Sequence, residues 1–364
     1  MTRPKKNPVR SLLVNLLLVA VAFGLLGLTV YQKREKLHEV LSRPIDTRLF
    51  VLAFVFYLLA INVSFLRWYL LVRVIEPRLT LRASVLLGFI GNVFNLVIPG
   101  AVGGDFVKAA YLVRMDINRT QAVASMVIDR IVGLLGLFVL AGVAGAFAWP
   151  LATKGEVKVL IVLVWMAVVT GLGVLAAIFN QSLTKRFPAL LEGHGRVAGV
   201  LRELKVMSAT YRRRLGLVAG MLGLSMCVHF LLVIAFYIVS RAIFGEDLPS
   251  FAQHVLMVPL TLFTTAVPIP FGALGVSEQV SDQLFQMVRH PGGALAMMAF
   301  RVLMYAGGAV SALVYVANLK KVRGLTDSAA ELEAELAEGE LDSPHPIADG
   351  QDSPVEESSE QANA

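Results

Sequence analysis

Apolar residues in this chain gather into long blocks separated by short polar stretches, rather than alternating at the period of a half-buried strand. Uncharged runs occupy residues 11–30, 49–66, 131–148, 159–179, 215–240 and 302–319, the last extending upstream to about 292 through Arg301. Each approaches the ~20 residues a helix needs to cross a ~30 Å hydrocarbon core, so six full spans are expected. Two further blocks, 83–104 and 248–277, are equally apolar but broken by Pro and Gly.

Composition agrees with this picture: 56% of the 364 residues are apolar and 16% charged, with a mean hydropathy of +0.70. A soluble domain, which must cover its core with polar surface, does not reach such values. The chain therefore reads as an all-α polytopic membrane protein. Net charge is +7, but residues 319–364 hold twelve acids against three basic residues, so the body carries +16. One cysteine, Cys227, excludes a disulfide framework, and the six scattered histidines include no helical i, i+4 pair. No metal and no cofactor are expected.

Lys and Arg in short loops stay cytoplasmic. Arg3, Lys5, Lys6 and Arg10 place the N-terminal segment (1–10) inside, and Lys320, Lys321 and Arg323 do the same for the C-terminal end. The loop at 185–214, with Arg212, Arg213 and Arg214, is cytoplasmic too, whereas 149–156 and 245–250 read as external. Loop 32–48 is mixed in charge and does not orient itself. These signs reconcile if each broken block enters and leaves on one side, as a re-entrant hairpin; two Pro-kinked crossings, eight spans in all, are the alternative. Such backbone survives at membrane depth only where protein or a watery cavity supplies hydrogen-bond partners.

The two breaks share sequence. Ile98-Pro99-Gly100-Ala101-Val102-Gly103-Gly104-Asp105 compares with Ile269-Pro270, then Gly272-Ala273-Leu274-Gly275, then Glu278. Paired broken segments of opposite orientation point to an inverted repeat with a site near the midplane. Pro ends a half-helix, Gly permits a sharp turn, and the amides of the next half-helix favour an anion. Asp105 and Glu278 either cap those half-helices or touch a ligand. Asn92 and Asn95, spaced i, i+3, either bond across the bundle or hold helices together.

Charges inside spans are costly and mark candidate sites. Arg301 interrupts the last span. Asp129 and Arg130 are adjacent at the expected start of the third, where they are either interfacial or functional. Lys108, one turn beyond Asp105, either pairs with it or attracts phosphate. Arg67, near the end of its span, is expected to snorkel to the interface. Together Arg301, Arg130, Lys108, Asp105 and Glu278 could line an interior for an anionic or zwitterionic lipid head group.

Residues 196–214 carry Val197, Val200, Leu201, Leu204 and Met207 at helical spacing among basic residues, a pattern for docking on an anionic inner leaflet rather than on nucleic acid. The acidic end, 321–364, is expected to be largely disordered. The first apolar run is too long for a signal peptide and lacks a small-x-small cleavage site, so an uncleaved span is expected.

The run Gly88 to Asn95 through Pro99 and Gly103-Gly104-Asp105, with Lys108 and Asp129-Arg130 following, resembles a signature of the lysylphosphatidylglycerol synthase transmembrane-region family, described as flippase-like membrane proteins. Pro268-Ile269-Pro270 with Gly272, Gly275 and Glu278 is similar to the family's later Pro-Gly-Glu motif. The resemblance covers roughly residues 10–320 and implies a flippase-like transmembrane domain, with substrates drawn from membrane lipids. It does not extend to a synthase, since the ~45 residues after 320 are too few for an aminoacyltransferase domain. Lys108 stands where family members commonly carry Arg. The reading that results is a non-enzymatic translocase of an anionic or aminoacylated phospholipid, or of a polyprenyl-phosphate-linked lipid, in a bacterial-type inner membrane. The alternatives are an intramembrane lipid-modifying enzyme or a membrane subunit for a separately encoded one, and assembly as a homo-oligomer stays open.

Overall fold

The computed structural model describes residues 24, 26–32, 34–35, 38, 42, 45–97, 103–149, 155–179, 215–266 and 273–319. The amphipathic loop segment 196–214, the acidic end and most of the first expected span fall outside them. Among the described residues the chain is helical and holds no strand. Its helices are α1 (Thr47–Val72), α2 (Leu81–Val97), α3 (Gly103–Val113), α4 (Arg119–Ala148), α5 (Gly155–Phe179), α6 (Leu215–Phe244), α7 (Phe251–Ala266), α8 (Val276–Met287) and α9 (Gly293–Ala317).

Five of these, α1, α4, α5, α6 and α9, are long and apolar enough to cross a membrane. They match five of the six expected spans. α1 starts at an Asp46 cap whose Oδ1 accepts from the amides of Arg48 (2.9 Å) and Leu49 (3.3 Å). The remaining four are short: 17 residues in α2, 11 in α3, 16 in α7 and 12 in α8. At 1.5 Å per residue α3 and α8 reach only about 16 and 18 Å, well short of the hydrocarbon thickness.

Two spans begin or end differently from their apolar runs. α4 starts at Arg119 rather than near 131, so Asp129 and Arg130 lie about 15 Å inside the helix instead of at its first turn. α1 continues past Arg67 to Val72. In both cases a charge ends the apolar run without ending the helix, because the charge is paired within the bundle.

Helix order repeats as long, short, short, long: α1 to α4, then α6 to α9, with α5 between. α2 packs on α3, and α7 on α8. Across the halves, α1 packs on α6, α4 on α7 and α9 on α2, so each half's last helix lies against the other's first short one. Two apolar cores follow. One joins Trp68, Leu87, Ile90, Val107 and Leu112; the other joins Tyr57, Phe236, Phe285 and Phe300. α5 packs on α4 and exposes Val162, Trp165, Met166 and Val169, as a lipid-facing helix would.

Candidate functional site

The breaks themselves, 98–102 and 267–272, lie outside the described residues, and with them Pro99, Pro270 and Gly272. On the first side, Gly104 sits against Gly91 so closely that a Cβ on Gly104 would lie 2.4 Å from the Gly91 carbonyl oxygen. Only glycine permits that approach. The Gly104 amide donates to Asn95 Oδ1 at 2.8 Å, so Asn95 ties α2 to α3, while Asn92 is half-buried on α2. Gly103, like Gly104, is buried at the start of α3.

One residue on, Asp105 occupies the first turn of α3. Its Oδ2 accepts from Arg130 Nε on α4 at 2.7 Å, and its Oδ1 lies 3.9 Å from Lys108 Nζ. Lys108 Nζ is also 5.3 Å from the centroid of the Trp68 ring, where the ring's π face attracts a cation. Lys108 thus faces Asp105, as the i, i+3 spacing allows. The Arg130 side chain keeps 38% of its surface exposed.

The second side is built from the same parts. Gly275, at φ +82°, and Ala273, at φ +55°, turn the chain into α8 through left-handed backbone that favours glycine. Glu278 Oε2 accepts from the Gly275 amide at 2.7 Å, the acid's half of a capping box; Gly275 has no side chain to return the bond. The same oxygen accepts from the Ser277 hydroxyl at 3.2 Å. Its other oxygen accepts from Arg301 Nε on α9 at 2.6 Å, and Arg301 Nη2 donates to Ser277. Capping is thus one of Glu278's roles and holding Arg301 the other. Here the pair is closed: the side chains are 0% and 5% exposed.

In both halves, therefore, an acid in the first turn of the second short helix binds an arginine on the following long helix, 25 residues on for Asp105–Arg130 and 23 for Glu278–Arg301. Arg130 lies about 16 Å into α4 and Arg301 about 12 Å into α9, both within helices long and apolar enough to cross a membrane.

Asp129 faces elsewhere. It receives Arg67 through two 3.0 Å bonds from Nε and Nη2, a fork-on-fork pair, while Arg67 Nη1 donates to Ser225 Oγ at 2.8 Å. Arg67 is 6% exposed, which corrects the expectation that it snorkels. Its fork is satisfied by α4 and α6, so it gains nothing by reaching for water. Ser225 and His229 also bond to the Gly133 carbonyl, at 3.2 and 3.1 Å, which completes a polar brace across α1, α4 and α6.

Sequence reasoning missed Ser225 and His229, and also Ser277 and Trp68. Ser277 carried a signal, since it opens a stretch, Ser277-Glu278-Gln279-Val280-Ser281-Asp282, that is conspicuously polar for this chain. Trp68 carried none.

Comparison with curated proteins and with solved structures returned no match. The description of the lysylphosphatidylglycerol synthase TM region matches residues 12–312, which takes in both acid–arginine pairs and all five long apolar helices except the last few residues of α9. This is a multi-pass membrane protein in contact with membrane lipids, and it belongs to the lysylphosphatidylglycerol synthase TM region family.

Proposed function

We propose that the protein is a translocase that moves a lipid with an anionic head group between leaflets. The substrate class is an anionic or aminoacylated phospholipid or a polyprenyl-phosphate-linked lipid. The observation that carries this reading is the pair of matched acid–arginine contacts, each joining the first turn of a short helix to a long apolar helix. Moving a phosphate through hydrocarbon is opposed chiefly by desolvation, and a guanidinium already held by a carboxylate can exchange that partner for a phosphate, which offers two oxygens to the same fork.

Each pair of short helices is read as a re-entrant hairpin, and the two halves as an inverted repeat with both chain ends cytoplasmic. Support comes from the lengths of α3 and α8, from the recurring helix order, and from the exchange of partners between α4–α7 and α9–α2. The difference in exposure between the two arginines fits alternating access: one half is open at Arg130 while its counterpart at Arg301 is shut. Rocking one half against the other would reverse these states. The glycines, Asn92 and Asn95 shape the first hairpin, Lys108 adds a cation beside Asp105, and the Arg67–Asp129 brace holds the halves together at α1 and α6.

The test is leaflet exchange of fluorescent phosphatidylglycerol in proteoliposomes, read by quenching from outside. Exchange above protein-free vesicles is expected from the native chain, with a loss of at least tenfold in Arg130→Gln and Arg301→Gln proteins that still elute as folded species. Native protein indistinguishable from empty vesicles, for phosphatidylglycerol and for a polyprenyl phosphate alike, would end the proposal.

A further inference from the structure

Between α4 and α7 the surface is hollowed into a groove of about 720 Å³, within the ~300–1,000 Å³ usual for a small-ligand site. Its wall on α4 is Leu140, Val143, Ala144 and Phe147, spaced i, i+3, i+4 and i+7 and therefore one stripe of the helix. Phe251 of α7 and Phe230 of α6 also line it, with their rings 5.9 Å apart. Val143 and Phe147 are exposed, so the groove opens on the outside of the bundle.

The polar side chains in the lining are few, and all can donate. Gln253 Oε1 accepts from the Ser250 amide at 2.8 Å, which leaves Gln253 Nε2 as a donor with no partner among the described residues. Ser250 Oγ accepts from the Gln253 amide at 3.4 Å and keeps its own proton to give. Arg289 is exposed, and its guanidinium has no hydrogen-bond or ion-pair partner among the described residues. No Asp or Glu stands among the described lining residues.

Arg289 reaches the groove from a backbone position that usually goes to glycine or asparagine. α8 ends in a Schellman motif: the His290 amide donates to the Phe285 carbonyl at 3.0 Å and the Arg289 amide to the Gln286 carbonyl at 2.9 Å. Arg289 holds the left-handed place in it, at φ +65°. α3 ends the same way, with Ile117 bonded to Leu112 and Asp116 to Val113, both at 3.1 Å, and with Asp116 at φ +66°. There the strained residue is an acid that meets Arg78 at 4.0 Å. Its counterpart in the second half is a cation whose neighbour is an apolar groove.

We propose that this groove binds an anionic phospholipid, at a site separate from the two acid–arginine pairs. One acyl chain lies along the apolar stripe of α4, and the phosphate takes the Arg289 fork, with Gln253 Nε2 and the Ser250 hydroxyl as further donors. Selectivity follows from the charge of the lining. The ammonium of phosphatidylethanolamine meets no carboxylate there, whereas phosphatidylglycerol brings only the negative charge that Arg289 complements.

The experiment is photo-cross-linking of the full chain in phosphatidylcholine vesicles that contain phosphatidylglycerol with a diazirine on its acyl chain, the labelled peptides being located by mass spectrometry. Labelling should favour residues 140–147 and 251–257 several-fold over the exposed α5 residues Val162, Met166 and Val169. Unlabelled phosphatidylglycerol should compete it away, and the same amount of phosphatidylethanolamine should not. Arg289→Asn removes the cation but keeps a residue that tolerates left-handed backbone, and should cut groove labelling about tenfold, the worth of one charged hydrogen bond. Arg48→Gln removes an exposed cation at the same end of the bundle, where the Asp46 amide bonds to the Ala242 carbonyl, and should leave labelling unchanged. Labelling no stronger than on α5, equal competition by both lipids, undiminished labelling of folded Arg289→Asn, or an equal loss in Arg48→Gln would overturn the site. If Arg289→Asn aggregates, the competition in the native chain decides. The assay reads binding rather than leaflet exchange, so the translocase reading stands or falls separately.

Discussion

Substituting Gly104 by Ala should break the close approach that packs α3 against α2. The new Cβ would lie 2.4 Å from the Gly91 carbonyl oxygen, 2.8 Å from its carbonyl carbon and 2.9 Å from Asn95 Nδ2. Ordinary contacts begin near 3.4 Å, and two of these three atoms are backbone that no rotamer change can remove. α2 and α3 must therefore part by roughly 1 Å. Overpacking of this kind costs about 1–3 kcal/mol, and straining the 2.8 Å bond from the Gly104 amide to Asn95 adds about 0.5–1.5 kcal/mol. The sum, about 2–4 kcal/mol, corresponds to a fall in melting temperature on the order of 5–15 °C, taking ~2–4 °C per kcal/mol. Gly220→Ala on α6 is the control: nothing lies within 4 Å of its Cβ, and Ala is the better helix former by about 1 kcal/mol. Thermal unfolding of the purified protein in detergent, followed by circular dichroism, measures both. Gly104→Ala melting within about 1 °C of the native chain, or below-native melting of Gly220→Ala by as much as Gly104→Ala, would refute the reasoning.

Two further predictions follow from polar contacts. Arg67→Lys keeps the charge but loses the fork on Asp129, and at about 1.5–3 kcal/mol per lost charged hydrogen bond it should lower the melting temperature by several degrees; an unchanged melt would show that the brace bears no strain. In the loop after α1, bonds from the Arg78 guanidinium and amide hold the Glu76 carboxyl below its ordinary 4.5, while Arg78 also donates to the Met115 carbonyl at 2.6 Å. A depressed acid stabilises above its unfolded value, so this clamp should be whole at neutral pH and lost as pH falls below 4.5 through the lowered value. Amide exchange in residues 73–80 and 114–118 should rise over that window and already be raised at neutral pH in Glu76→Gln; protection that is the same in both proteins at every pH would count against it.

Amino-acid order by itself determined the helices and where they break. An uncharged run of about twenty residues has no better way to satisfy its backbone in lipid than a helix, and Pro with Gly interrupts that helix wherever it falls. It also showed that the two interruptions share an Ile-Pro and a Gly-Ala-aliphatic-Gly pattern, and it singled out Asp105, Glu278, Arg130 and Arg301. Tertiary structure alone decided who meets whom. Asp129 and Arg130 are neighbours in the chain, yet a helix turns successive side chains about 100° apart, so one faces Arg67 on α1 and the other Asp105 on α3. Arg67 was misread for a related reason. Run length registers a charge as an end, whereas its cost depends on a partner 62 residues away that only packing brings to 3.0 Å. Spacing within one helix can be read from sequence, but a contact between helices depends on how their faces rotate and cross, and no local pattern encodes that.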